Sequence, residues 1–205
     1  METATVPKKS AKVEVKSSTI FGFIKPEGVD NLKEIFEYFK KDNFSIIYNK
    51  KVQLRKEQAQ KYFARDIYWK MRIGAYALYS DDPKHKHSKE DCLRQGDLIL
   101  KQLIRNVSEY KVILFILNLP LEYGNAIERA SALIGHTDPV KALPGTIRHD
   151  IILTNEVLRT HVNGDGFLYN IIDLCKKPDY ILEAITNLVP DKDLKKYNFL
   201  SHIQI

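Results

Sequence analysis

Pro144-Gly145-Thr146-Ile147-Arg148-His149-Asp150 is the stretch from which the rest of the chain is best understood. Just before it stands Leu133-Ile134-Gly135-His136-Thr137-Asp138-Pro139. That segment closes a helical pattern over Asn125 to Ile134, with Gly135 where a left-handed C-cap belongs. Far upstream, Ile24-Lys25-Pro26-Glu27-Gly28-Val29 ends the apolar run Thr19-Ile20-Phe21-Gly22-Phe23-Ile24. Such a run bounded by Lys-Pro has the pattern of a buried strand whose carboxyl end delivers Lys25 to a loop.

Between these anchors the pattern alternates. Leu32, Ile35, Phe36 and Phe39 recur at helical spacing, with Asn31 and Glu34 disposed as a capping box. Phe44 to Leu54 is rich in Ile, Val and Tyr, as a strand is, and Lys56 to Phe63 predicts a short helix with Tyr62 and Phe63 on or near its apolar side. Residues 64 to 96 carry the charged run Asp81-Asp82-Pro83-Lys84-His85-Lys86-His87, a surface loop flanked by short helices. Asp97 to Val107 is helical by period, and Val112 to Leu119 is a nearly continuous apolar strand expected at the centre of a sheet. Phe167 to Ile172 is a last apolar run, and Pro178 opens a helix bearing Ile181, Ala184, Ile185 and Leu188 on one face. The order of strands and helices suits a ferredoxin-like α/β sandwich.

Taken together, the three anchoring segments resemble the nucleoside diphosphate kinase family. In that family a strand ends in Lys-Pro-Asp-Gly-Val, a helix ends in Leu-x-Gly-x-Thr-x-Pro, and Pro-Gly-Thr-Ile-Arg follows. The resemblance spans roughly residues 18 to 189 and implies an α+β sandwich on a four-stranded antiparallel sheet. It sets apart a basic arm over 1–17, an insertion at about 64–96, a lengthened loop at about 151–166 and a C-terminal tail over 190–205. It also implies nucleoside di- and triphosphates as ligands, Mg2+ carried by the bound nucleotide with no metal site of the chain's own, and assembly into homo-oligomers.

Carried over residue by residue, the resemblance places Lys25, Thr137 and Arg148 at phosphate-binding positions, where cations and a hydroxyl would stabilise a transferring phosphate. Tyr62 falls where the family has a tyrosine lining the site, and Asn170 matches the asparagine of Asn-x-x-His. Leu100 and Leu103 come near the family's base-stacking phenylalanine and its neighbour, and plain core is an equal reading of both.

Two departures stand out. An arginine expected six residues after Asn125 is Ser131, and Arg129 lies roughly 200° away around a helix, so it cannot substitute. Aligning on Tyr169-Asn170-Ile171-Ile172 puts Asp173 at the position of the histidine that stores the phosphate, with Cys175 for the following serine and Ala184 for the glutamate that orients the imidazole. A rival, His161, stands thirteen residues after Arg148, the spacing of compact family members, but lacks an asparagine three residues before it. Asp173 is preferred, so lost or greatly weakened phosphate shuttling is expected, leaving a regulatory or scaffolding role. The alternative is an active kinase moving the γ-phosphate from a nucleoside triphosphate to a diphosphate.

Composition bounds the remainder. The 205 residues carry a formal net charge of +6 and 44% hydrophobic residues, ordinary for a globular domain. No apolar run reaches the length of a membrane span and no signal-peptide pattern opens the chain, so the cytosol is expected, or the nucleus. Cys92 and Cys175 are too few for a disulfide framework. His85, His87 and Cys92 fall short of a zinc pattern in spacing and ligand count. A nucleic-acid-binding module ranks last, because the chain lacks the aromatic strand motif that stacks bases in RNA-recognition folds.

Overall fold

The computed structural model describes residues 18–64, 67–81, 83–155, 158 and 170–197. Four strands form one antiparallel sheet in the order β2-β3-β1-β4: β1 Thr19–Ile24, β2 Ser45–Val52, β3 Val112–Asn118 and β4 Ile172–Leu174. β1 pairs with both β3 and β4, so each βαβ unit has its strands parallel with another strand between them, the ferredoxin-like arrangement. β1 is buried along its whole length and β3 along all but its last residue, which explains their continuous apolar sequences.

The register separates two faces. Phe115 lies opposite Gly22, and its ring meets Phe36 and Phe39 of α1 (Leu32–Lys41). Phe21 and Phe23 point the other way, onto Tyr62 and the short helix α2 (Lys56–Tyr62), and Phe23 also meets Phe63 edge-on. α5 (Ala126–Ile134) packs against α1 and β1, while α6 (Pro178–Leu188) packs on β1 and α2. α7 (Asp191–Tyr197) fastens to the β2 edge, where buried Asp193 accepts from Tyr48 Oη at 2.9 Å and from Lys50 Nζ at 2.6 Å.

Several local expectations need correction. Asn31 makes no side-chain cap, because a 3₁₀ turn over Pro26–Asn31 runs straight into α1 and its carbonyls take the first N–H groups. The charged run is a surface loop over 83–88 as expected, but its flanking helices are long rather than short: α3 (Ile67–Asp81) and α4 (Lys89–Glu109) form a hairpin. α4 begins early because Ser88 and Asp91 form a capping box, with Ser88 Oγ accepting from Asp91 N at 3.0 Å. Two glycines let the hairpin close: a Cβ on Gly74 would stand 1.8 Å from the Cys92 carbonyl oxygen, and one on Gly96 would stand 2.0 Å from that of Lys70. Gly135 has φ 86° but ψ −175°, so it is not the left-handed cap; it adopts a glycine-only extended conformation that sends the chain outward toward Thr137. The expected 1–17 arm, residues 159–166 of the lengthened loop and residues 198–205 of the tail lie outside the described residues.

Candidate functional site

The site is built where β4 joins β1. Asp173 lies opposite Phe23, so strand alternation turns both toward α2. There Tyr62 Oη donates to Asp173 Oδ2 at 2.7 Å. Two residues past Phe23, Lys25 leaves the sheet, and its backbone N–H donates to the Ile171 carbonyl at 2.8 Å. Lys25, Tyr62 and Asp173, far apart in sequence, are thus brought together by the register.

Arg148 fixes the approach to β4 from behind. It sits in a π-helical turn over Arg148–Ile152, 4% exposed. Three of its five N–H groups reach backbone carbonyls: Nε donates to Asn170 at 3.2 Å, Nη2 to Ile172 at 2.9 Å and Nη1 to Gly135 at 2.8 Å. Between the two clasped carbonyls of 170 and 172, Ile171 has φ 51°, a left-handed conformation that a β-branched residue adopts only when its surroundings enforce it. The clasp and the Lys25–Ile171 bond supply that enforcement. Asn170 is 4% exposed, and its Oδ1 has no hydrogen-bond partner among the described residues.

Charge accumulates at this junction. Burial lowers the Lys25 ammonium to about pKa 8, against the opposing pull of Asp173 and Glu27, while neighbouring Arg148 lowers it further. Burial likewise brings Arg148 down to about 10, offset in part by Asp173. Lys176, just past the end of β4, is lowered by partial burial and by Arg148 and raised by Asp173. Two carboxylates, Asp173 and Glu27, thus meet three cations here, two of the cations buried. Burying charge is costly unless it is paired.

Comparison with known proteins gives this junction a context. No family model matches the sequence. The nucleoside diphosphate kinase of Pyrobaculum aerophilum is 28% identical over 135 residues, covering 62% of this chain and 71% of that protein. The nucleoside diphosphate kinase of Methanocaldococcus jannaschii is 28% identical over 136 residues, covering 65% and 74%. Among solved structures, an NDP kinase from Pyrobaculum aerophilum superposes with a TM-score of 0.67 at 22% identity, over 86% of this chain and 97% of that one. In sequence the chain is similar to nucleoside diphosphate kinases. The fold is theirs too: the Borrelia burgdorferi nucleoside-diphosphate kinase, solved as a transition-state mimic with bound vanadate and ADP, superposes at a TM-score of 0.60 and 21% identity over 87% of this chain and 90% of that one.

Not every residue aligned to nucleoside diphosphate kinase positions joins the junction. Thr137 is exposed, two residues past the Gly135 carbonyl that Arg148 holds. Ser131 is half-buried on α5, where its carbonyl accepts the Gly135 N–H at 3.1 Å. Arg129 is turned away, its Nε donating to Asp42 Oδ2 at 2.9 Å. Leu103 belongs to the core and Leu100 packs against it, partly buried. His161 lies outside the described residues. His87 stacks near His85 and Tyr79, and no group of three or more metal-ligating side chains occurs among the described residues.

Other contributors were missed. Lys176 carried no motif, and only the end of β4 brings it to Arg148 and Asp173. Tyr76 of α3 donates to Asp138 Oδ2 at 2.5 Å and accepts from Lys141 Nζ at 2.6 Å, tying the hairpin to the loop that carries Thr137. Tyr38 of α1 donates to Asp150 Oδ2 at 2.7 Å, and Asp150 Oδ1 accepts from Gly145 N at 3.0 Å, pinning the Pro144–Asp150 turn. Glu27 Oε1 accepts from Asn106 Nδ2 at 2.6 Å, joining the Lys25 loop to α4. The one available signal was Asp138 before Pro139, a helix-start pattern whose carboxylate does accept from Val140 N. The tyrosine partners lie 62 and 112 residues away in sequence, beyond any local pattern.

Proposed function

We propose that this chain binds nucleoside di- and triphosphates at the junction of β1 and β4 and has lost transfer through a phosphohistidine. The observation that carries the reading is Asp173 Oδ2 held by Tyr62 Oη at 2.7 Å beside three cations. The cluster of cations at the end of β4, with Lys25 and Arg148 buried, supports an anionic ligand. The unpartnered Asn170 Oδ1 fits a hydroxyl donor such as a sugar provides. Mg2+ enters as part of the ligand, on the phosphates.

The same geometry argues against phosphate storage. A neutral imidazole attacks a phosphate without charge repulsion, whereas a carboxylate must approach a polyanion as an anion and is already engaged by a tyrosine. Contacts of the junction include no histidine among the described residues: His149 bonds Asp150 and His136 bonds the Asp138 backbone. Binding without turnover suits a regulatory or scaffolding role, and homo-oligomeric assembly accompanies it in this reading.

Calorimetric titration with Mg-ADP tests the binding. Saturable binding that weakens at least tenfold in Lys25→Met is expected. Absence of saturation at millimolar nucleotide would overturn the proposal.

A further inference from the structure

We propose that the tip of the α3–α4 hairpin binds a divalent transition-metal ion through the imidazoles of His85 and His87. The site uses none of the residues of the β1–β4 junction and does not rest on nucleotide binding.

The two histidines lie one residue apart in the loop over 83–88, with ring centres 4.8 Å apart and planes tilted by 56°. Two imidazoles bonded to one ion at about 2.0–2.1 Å have ring centres roughly 4.5–5.2 Å apart, for ligand angles between about 90° and 109°. The observed separation falls in that range, so the pair can close on a metal with little rearrangement. His87 Nε2 is also shut off from solvent, with no hydrogen-bond partner among the described residues. A ring nitrogen carries either an N–H or a lone pair, and burying it unpaired is costly in both tautomers. A metal bond uses the lone pair. Tyr79 of α3 meets the His87 ring edge-on, 5.1 Å between centres, and so helps to set its orientation. His85 is exposed, so its ring can swing aside to admit the ion and then close on it.

The class of ion follows from the donors. No third His, Cys, Asp or Glu completes a cluster among the described residues, and Cys92 is buried within α4. Asp91 is engaged by Ser88 Oγ and Arg94 Nη2, both at 2.7 Å, while exposed Lys84, Lys86 and Lys89 flank the histidines in sequence. Hard cations such as Mg2+ and Ca2+, held by charge and oxygen ligands, gain little from such surroundings. Cu2+, Ni2+ and Zn2+ bond well to neutral imidazole, with Cu2+ the strongest. Two protein ligands leave the other coordination positions to water, which makes an exchangeable site rather than a structural zinc centre.

The test is calorimetric titration of the untagged full-length chain with Cu2+ alone, on wild type, His85→Ala and His87→Ala. Wild type should bind one equivalent saturably, and each variant should bind it weaker by about tenfold or more, as expected when a chelating pair is cut to one ligand. Electron paramagnetic resonance of the bound Cu2+ should show coupling to two imidazole nitrogens in wild type and fewer in either variant. A large excess of Mg2+ should not displace the copper. Unchanged affinity in His85→Ala would place the copper elsewhere and overturn the proposal, as would wild type without saturable binding. Displacement by Mg2+ would mean an oxygen site and overturn it too. Because His85 is exposed, its variant decides the matter even if His87→Ala folds poorly.

Discussion

At both edges of the sheet an aspartate accepts a tyrosine hydroxyl near a lysine, yet the cations are partly exposed at one edge and buried at the other. At the β2 edge Asp193 takes Tyr48 and touches Lys50 directly, and it is held below the usual carboxylate range, first by that lysine. Lys192 lowers it further. At the β4 edge Asp173 takes Tyr62 but faces Lys25, Arg148 and Lys176, and the buried Lys25 is driven down to about pKa 8. A cluster whose lysine stays partly in water joins two parts of a fold and asks for nothing more. One with buried cations, together with a left-handed Ile171 and an Asn170 acceptor without a donor, has the character of a functional site.

The comparison can be broken or sharpened in three ways. The largest effect should come from Arg148→Met, which strands the carbonyls of Gly135, Asn170 and Ile172, the last two buried, and releases Ile171. Chemical denaturation should show a loss of about 3–5 kcal/mol. A loss below about 1 kcal/mol would mean that the clasp is dispensable and that Arg148 serves the ligand alone.

Next come the two lysines, whose replacement should act with opposite signs. Lys25→Met should stabilise the apo protein by about 1–3 kcal/mol near neutral pH, because it removes a desolvated charge. Lys50→Met should destabilise by about 1 kcal/mol or less, since Lys50 is partly exposed and solvent screens its pair. The pH dependence follows from the lowered Lys25 value. Below about pH 8 both folded and unfolded chains carry the proton and the cost is fully present. From about 8 up toward 10.5 the unfolded chain keeps a proton that the folded chain has lost, so wild-type stability rises relative to Lys25→Met. Denaturation midpoints for wild type and variant across pH 7 to 10 would check it, and a constant difference would remove the buried charge from the account.

The smallest effect concerns the tyrosines. Tyr48→Phe removes a hydrogen bond to a buried carboxylate and should cost about 1 kcal/mol, whereas Tyr62→Phe keeps its edge contacts with Phe21 and Phe23 and should cost about half that. Thermal melts that rank them the other way would make the β4 cluster the more structural of the two.

Much of this was legible in the sequence, for physical reasons. The buried runs Thr19–Ile24 and Val112–Asn118 and the helix opened by Pro178 are dictated locally, by apolar continuity and by a fixed proline φ. Lys25, Tyr62, Asn170 and Asp173 were nominated by motif, and the register brings them to one junction. What escaped was non-local or depended on backbone partners. Nothing in Arg148 foretells that its guanidinium spends three donors on carbonyls from two other segments. The charge run near His85 is the loop it suggested, but the full length of α3 and α4 and the glycines that let them pack closely are visible only once the helices are side by side. Leu100 and Leu103 fit either a base shelf or a core by period alone; Leu103 lies in the core and Leu100 is partly buried against it.

The central claim is a nucleotide site without a phosphate-storing nucleophile, and nucleotide exchange tests it most directly: ATP plus GDP giving GTP, measured on wild type beside Asp173→His and His161→Ala. No wild-type exchange, with exchange appearing in Asp173→His, is the predicted result. Robust wild-type exchange that His161→Ala abolishes would contradict it and make the chain a working kinase.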